Sequence, residues 1–353
     1  MLVRADFNVP VHNGAVVNDF RIRKTLPVLR FLSGQGARTF VVSHIGENSA
    51  ATLAPVAQEL AKCCSTGFVR DVFSAEGKEA MERIGDGGSI LFENIRMFPG
   101  EEANDDTFAR RLASLADIYV NEAFSTSHRE HASIVGVPCH IPAYSGIQFV
   151  SEMRHLSLAL NPPHPSLVIL GGIKFQTKIP LARKFLDIAD RVFVGGALAN
   201  PLFAAEGYQV SASVLPGDQL DVAGLLGHEH LILPQDVAGE GFVKSAEALT
   251  KHDIIRDAGP ETLENLIRVV RESAFVLWNG PIGDYERGFR ERNEALARAI
   301  AESSAQSIVG GGDTVASIAD LGLEDRFTFV STAGGAMVQF LSDGTLPGIE
   351  ALR

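Results

Sequence analysis

The sequence predicts an α/β protein of two domains, each built on a parallel, doubly wound sheet. Eleven short runs rich in Val, Ile, Leu and Phe alternate with helical stretches, the order of repeated βαβ units. Most of the runs lack polar alternation, as strands covered on both faces do. The chain has 353 residues, enough for two separate cores.

In the first half the strand runs are Leu2–Asn8, Ala37–His44, Gly67–Asp71, Ser89–Glu93 and Asp117–Phe124. In the second they are Ser166–Leu170, Arg191–Val194, His230–Leu233, Ala274–Trp278, Gln306–Val309 and Phe327–Ser331. Between them Arg23–Leu32, Leu53–Cys63, Thr107–Leu115, Ile179–Leu186, Pro260–Glu272 and Glu291–Glu302 read as helices. Phe149–Leu160 reads as a further helix that Asn161-Pro-Pro-His-Pro165 cannot continue. A first lobe over residues 1–149, a connecting helix over 150–163 and a second lobe over 164–339 are therefore expected.

The formal net charge of −12 argues against nucleic-acid or anionic-membrane binding. Residues 1–150 carry a net −3 and residues 151–353 a net −9, so the first half is the better home for an anionic substrate. Cys63, Cys64 and Cys139 are sparse, and no metal-ligand spacing joins them. They read as free thiols in a reducing cytoplasm. The opening residues read as strand rather than as a secretory leader, and no apolar run is long enough to span a membrane. A cytoplasmic location is expected.

Ligands of open parallel sheets bind beyond the carboxyl ends of strands. In the first half those ends carry polar anchors: Asp6-Phe-Asn8, Ser43-His44-Ile-Gly46 and Glu93-Asn94-Ile-Arg96. In the second half glycine turns dominate, as in Gly171-Gly172, Gly195-Gly196, Asn279-Gly280-Pro281, Gly310-Gly-Gly-Asp313 and Gly334-Gly335. The pattern implies an anion site of side chains in one half and a nucleotide site of backbone in the other. Neither G-x-x-x-x-G-K-[ST] nor a helix-opening G-x-G-x-x-G is present, which disfavours a P-loop kinase and a dinucleotide-dependent dehydrogenase.

Ser307–Ala319 is the most informative stretch. Gly310, Gly311 and Gly312 follow an apolar run, and Asp313 and Thr314 stand where a helix N-cap is expected. Such a helix start favours phosphate. Asp313 either caps its helix or holds a magnesium ion that bridges phosphate oxygens. Lys174 and Lys178, spaced i, i+4, project from one face if a helix begins there, although an isolated lysine pair more often faces water.

With these loops in view the sequence resembles the phosphoglycerate kinase family. The resemblance runs in order through Arg4-Ala-Asp-Phe-Asn-Val-Pro10, Asp19-Phe-Arg-Ile22, Ser43-His-Ile-Gly46, Glu93-Asn-Ile-Arg96 and Asn121-Glu-Ala-Phe-Ser-Thr-Ser-His-Arg129. It continues through Leu170-Gly-Gly-Ile-Lys174, Trp278-Asn-Gly-Pro281, Val309-Gly-Gly-Gly-Asp-Thr314 and Val330-Ser-Thr332. It implies two Rossmann-like lobes, joined by a helix and closing about a hinge. The implied reaction transfers phosphate between 1,3-bisphosphoglycerate and ADP, giving 3-phosphoglycerate and ATP with Mg2+. A monomer is expected, and residues 340–353 resemble the family's tail that packs back on the first lobe.

Carried over by this resemblance, Asp6 and Asn8 hold the glycerate region, and Arg21, His44, Arg96 and Arg129 bind its carboxylate and the phosphate that stays. For any single arginine a surface salt bridge is the blander alternative. Lys178 matches the lysine on the nucleotide phosphates and Lys174 the one meeting the transferred group. Glu286 matches the ribose acid, although a lone Glu is more often a solvated surface carboxylate. Gly310, Gly311, Gly312, Asp313 and Thr314 match the phosphate loop, with Asp313 as metal ligand. Arg21 and Lys174 are the expected catalytic side chains. His128 and His131 flank Arg129 without an evident third ligand, so a structural role is expected for them.

The chain departs from the family pattern in places. Glu47-Asn48 stands where the family has Arg-Pro beside the substrate, Ala197 replaces a glycine, and Asp253-Ile-Ile-Arg-Asp257 replaces a Trp-Met-Gly-Leu-Asp stretch on the nucleotide side. Two readings follow: a working kinase of reduced substrate affinity, or a catalytically weak binding or regulatory relative.

Overall fold

The computed structural model describes residues 1–47, 50–210, 212–218 and 220–353; Asn48, one of the two departures beside the substrate loop, lies outside them. The chain forms two compact units, Met1–Arg154 with Thr345–Arg353, and His155–Gly344. The division falls inside the helix Ile147–Ala159.

In the first unit six parallel strands run in the order Thr66–Val69, Ser89–Phe92, Thr39–Val42, Leu2–Arg4, Tyr119–Asn121 and Ala143–Ser145. Successive residues face opposite sides. Val3 and Val41 enter one core with Ile22, Leu26 and Leu60, while Leu2, Phe40 and Val42 enter another with Phe92, Leu112 and Tyr119. Cover on both faces is why the runs lack polar alternation. The expected strand Leu2–Asn8 stops at Arg4, because beyond Ala5 the backbone turns: Asp6 Oδ1 accepts the Asn8 N–H at 3.2 Å. Ala143–Ser145, three residues and largely exposed, was too short and polar to read as a strand.

The second unit's parallel sheet runs Leu231–Ile232, Arg191–Val194, Ser166–Leu170, Phe275–Asn279, Gln306–Gly310 and Phe329–Val330. Numbered by appearance this is the order 3-2-1-4-5-6, so the direction of winding reverses between the first and fourth strands. A small antiparallel sheet of Phe242–Ser245, Asp236–Gly239 and Asp257–Ala258 was not anticipated; its charged, two- to four-residue strands carry no apolar run.

Three boundaries are corrected. The connecting helix expected over 150–163 is Ile147–Ala159, so it starts earlier and stops before residues 161–165. Asp313 does not sit at the N-cap: the helix is Gly312–Asp320, with Gly311 at the cap position at φ 101°, so the carboxylate lies inside the first turn. Residues 340–344, expected in the returning tail, belong to the second unit because the helix Gly335–Asp343 runs on and ends at the left-handed Gly344. Lys184 Nζ closes that helix by donating to Leu341 O at 2.7 Å and Ser342 O at 2.8 Å. The remaining tail lies on the first unit, where Gly348 N–H donates to Ser127 O at 2.8 Å and Leu352 packs against the core.

Candidate active site

In the first sheet the winding reverses between Leu2–Arg4 and Tyr119–Asn121, and side chains gather beyond those two strands. The turn after Leu2–Arg4 presents Asp6, almost fully buried. Its carboxylate accepts the Ser125 hydroxyl and pairs with Arg21 Nη1 at 2.8 Å. Arg21 stands in the first turn of the helix Phe20–Gly34, and its Nη1 also donates to Asn8 O at 3.2 Å. Burial works to raise the Asp6 pKa, but Arg21, His44 and the hydrogen bonds from Ser125 and the Asn8 N–H outweigh it, so the carboxyl titrates below its ordinary value. Asn8 Oδ1 accepts the Gly46 N–H at 2.9 Å, tying this turn to the loop after Thr39–Val42.

That loop carries His44. Burial, then the Arg4 guanidinium, hold its pKa well below the ordinary histidine value, so the ring is neutral. Arg4 Nη2 lies 3.3 Å from His44 Nδ1, and because a guanidinium only donates, Nδ1 accepts. Arg96 follows Ser89–Phe92 in the 3-10 turn Ile95–Met97 and donates to Gly46 O. Burial, then the neighbouring Arg129 charge, lower the Arg96 pKa, while Glu102 and Glu47 raise it. The first unit thus joins Asp6, Asn8 and Arg21 by direct contacts, ties Asn8 and Arg96 to Gly46, and sets His44 and Arg129 within electrostatic reach of Arg96.

The motif reading quoted Arg4 but gave it no role. Its side chain lies inside the protein at 1% exposure, and Nε donates to Ser133 Oγ at 2.8 Å. Ser133 in turn donates to buried Glu101 from Oγ at 2.6 Å and from its backbone N–H at 2.9 Å. A buried carboxylate answering a buried guanidinium through a shared serine leaves no isolated sequence signal. Arginine in an otherwise apolar strand was the available hint. His131 Nδ1 lies 3.8 Å from the same Glu101, and burial followed by the Arg4 charge lowers its pKa to about 4. Among the described residues no group of three or more His, Cys, Asp or Glu is placed to hold a metal ion.

The second unit builds its reversal point from backbone. A β-carbon at Gly171 would strike the Pro281 carbonyl oxygen, and one at Gly280 would strike the Gly171 carbonyl and the Lys178 amine. These glycines let the turns after the first and fourth strands touch. Lys178 Nζ donates to Gly171 O at 2.6 Å and to Asn279 O at 3.1 Å, stapling the two turns. Burial, then the Lys174 charge, lower its pKa to about 8. Lys174 occupies the cap position of Phe175–Leu186 with ψ 70° and is exposed, whereas Lys178 is buried. Lys174 itself precedes the helical backbone, and its carbonyl accepts the Lys178 N–H at 3.1 Å.

The three loop glycines differ in purpose. At Gly310 a β-carbon would run into Met337 Sδ, so that glycine serves packing. Gly311 needs its positive φ to enter the helix, and Gly312 opens onto free space. Beneath them the buried Thr314 hydroxyl has no hydrogen-bond partner. Asp313 is exposed and does not cap its helix. One free carboxylate at a helix start fits a magnesium ion held mainly by phosphate oxygens and water, not a cage of protein ligands. Glu286 is exposed in the 3-10 turn Tyr285–Arg287. The altered stretch after Asp253 is tied down by ion pairs: Asp253 to Lys244 at 2.9 Å, Arg256 to Asp284 at 3.1 Å and Asp257 to Arg292 at 3.0 Å.

The comparisons with known proteins agree with this geometry. The family model described as phosphoglycerate kinase matches residues 1–344. The phosphoglycerate kinase of Dictyoglomus turgidum is 37% identical, covering 100% of this chain and 95% of the relative. The solved phosphoglycerate kinase of Coxiella burnetii is 38% identical with a TM-score of 0.84, covering 99% of this chain and 94% of its own. That of Pyrococcus horikoshii OT3 is 27% identical with a TM-score of 0.87, covering 99% and 95%. Nothing among these relatives favours the alternative of a catalytically weak binding or regulatory protein. A full-length match in sequence, two six-stranded sheets and this order of motifs place the chain in the phosphoglycerate kinase family, phosphotransferases with a carboxyl group as acceptor.

Proposed function

We propose that the first unit binds the acid, 3-phosphoglycerate or 1,3-bisphosphoglycerate, and the second binds ATP or ADP, for reversible phosphoryl transfer between the acyl phosphate and ADP. The observation that carries this reading is the contrast at the two reversal points: buried guanidinium groups in one unit, and amides with a stapled lysine in the other.

Arg21, held by Asp6 and the Asn8 carbonyl, is pre-set to meet a developing phosphoryl charge. Guanidinium forks match carboxylate and phosphate oxygens, which suits Arg21, Arg96 and Arg129 to the acid. His44, neutral with Nδ1 accepting, has Nε2–H left to donate. Lys178 spends two N–H bonds on the turns and keeps a third for a nucleotide phosphate. Lys174, exposed at its helix start, is assigned to the transferred group, and Glu286 to the ribose. Asp313 and the amides after Gly311 are assigned to the phosphates and magnesium. When bound, magnesium neutralises phosphate charge. The attacking oxygen is already anionic, so no general base is required, and catalysis is positioning and charge neutralisation. Transfer requires the two bound substrates to be brought together with water excluded, for which the family-like hinge is proposed. A cytoplasmic monomer is part of the same proposal; among the described residues no helix is long and apolar enough to cross a membrane.

A coupled assay with MgATP and 3-phosphoglycerate tests this. Turnover that saturates in both substrates is expected. Folded protein giving no rate above blank at saturating substrate refutes it.

A further inference from the structure

The acid site contains a carboxylate that the reaction does not use. Glu47 follows directly on Gly46, the residue whose N–H binds Asn8 and whose carbonyl accepts from Arg96. Glu47 does not point away from the site: its Oε2 lies 3.6 Å from Arg96 Nη1. The two partners are very differently placed, the Arg96 side chain being 2% exposed and that of Glu47 80% exposed. A second carboxylate, Glu102, stands 3.2 Å from Arg96 Nε.

The physical setting explains why a carboxylate is stable here. Arg96 is buried beside Arg129 and near Arg4, and both depress its pKa. A crowded set of cations with little water gains from any anion that reaches it. Glu102 meets the inner Nε edge, from the short helix Pro99–Glu102. Glu47 reaches Nη1, which also donates to the Gly46 carbonyl, from an exposed loop position, so of the two carboxylates Glu47 is the more open to exchange with a ligand from solvent.

We infer that Glu47 is a displaceable counter-ion, occupying the Arg96 guanidinium in the resting protein and exchanged for the substrate's phosphate on binding. It sets the affinity for the acid and leaves the chemical step alone. A phosphate dianion with three acceptor oxygens displaces a single exposed carboxylate, because its bonds to guanidinium are charge-assisted and bidentate. The exchange lowers acid affinity at low ionic strength and fades as salt screens the exposed pair. The inference rests on the assignment of Arg96 to the acid site, and the experiment separates the two.

The test is calorimetric binding of inorganic phosphate, and separately of 3-phosphoglycerate, to the full chain at low and high salt. The variants are Glu47→Gln and, as an equal change in net charge elsewhere, Glu79→Gln. Glu79 is exposed and pairs with its helical neighbour Arg83. Glu47→Gln is expected to tighten phosphate binding about two- to fivefold at low salt, the range of an exposed ion pair, with wild type and variant converging at high salt. Glu79→Gln is expected to match wild type. In the coupled assay the KM for 3-phosphoglycerate falls by the same factor, while kcat and the KM for MgATP stay fixed. Identical phosphate binding by wild type and Glu47→Gln, or an equal gain in Glu79→Gln, overturns the inference. Tighter phosphate binding by Glu47→Gln in a protein that neither binds 3-phosphoglycerate nor turns over sustains the counter-ion and refutes the proposed function instead.

Discussion

The two units present different materials at the reversal points of their parallel sheets, where the proposed function places a highly charged anion in each. In the first, side chains do the work: Asp6 pairs with Arg21, Arg4 with His44, and Arg96 donates to the Gly46 carbonyl. In the second, Gly171, Gly280 and Gly311 bring backbone against backbone, and one buried lysine locks the arrangement. A receptor of side chains is tunable one residue at a time, and Glu47 beside Arg96 is such an adjustment. A receptor of amides has no side chain to exchange, so it changes only through the conformations its glycines permit.

The largest effect expected from this contrast is Arg21→Ala. It removes the cation proposed to meet the transferring group and takes the ion-pair partner from buried Asp6. A fall in kcat of about 10²–10³-fold is expected, the cost of removing one charge-stabilising donor. MgATP affinity, measured by calorimetry, is expected to stay within about twofold because the proposed nucleotide site is built from residues of the second unit. Equal losses in both quantities break the comparison.

Gly312→Ala sharpens it from the other side. The added methyl meets open space and sits on helical backbone, so the melting temperature holds or rises slightly. If amides there receive phosphate, nucleotide affinity falls about tenfold because the methyl takes the ligand's place. Unchanged affinity places the phosphates elsewhere.

The smallest effect is in pH. Lys178 titrates near 8, charged below and neutral above. Nucleotide affinity is therefore expected to drop about two- to threefold as pH rises from 7 to 9 and to lose this dependence in Lys178→Met. Acid affinity lacks a counterpart step from His44, whose depressed pKa leaves it neutral throughout that range. A pH step near 8 that persists in Lys178→Met assigns it to another group.

Much of this was legible in the sequence for reasons that differ by region. Buried parallel strands write themselves as unbroken apolar runs, so all eleven expected strands are present, although polar residues trimmed many of them. Of the residues proposed for the acid, Asp6, Asn8, His44 and Arg96 are polar types that follow apolar strands, whereas Arg21 stands in the first turn of the helix Phe20–Gly34. The Arg4–Ser133–Glu101 relay was not legible, because its links span 129 and 32 residues with no local pattern. The separate purposes of Gly310, Gly311 and Gly312 were equally hidden: identical letters serve packing, backbone conformation and open access. The Asp313 cap was misplaced by two residues because glycine itself takes the cap position.

Backbone amide chemical-shift mapping of the full chain, titrated first with 3-phosphoglycerate and then with MgADP, tests the division of materials most directly. The account predicts that the acid shifts amides around Asn8, Gly46, Arg96 and Arg129, and that the nucleotide shifts Gly172, Gly311, Gly312 and Asp313. Both ligands perturbing the same one of these two sets contradicts it.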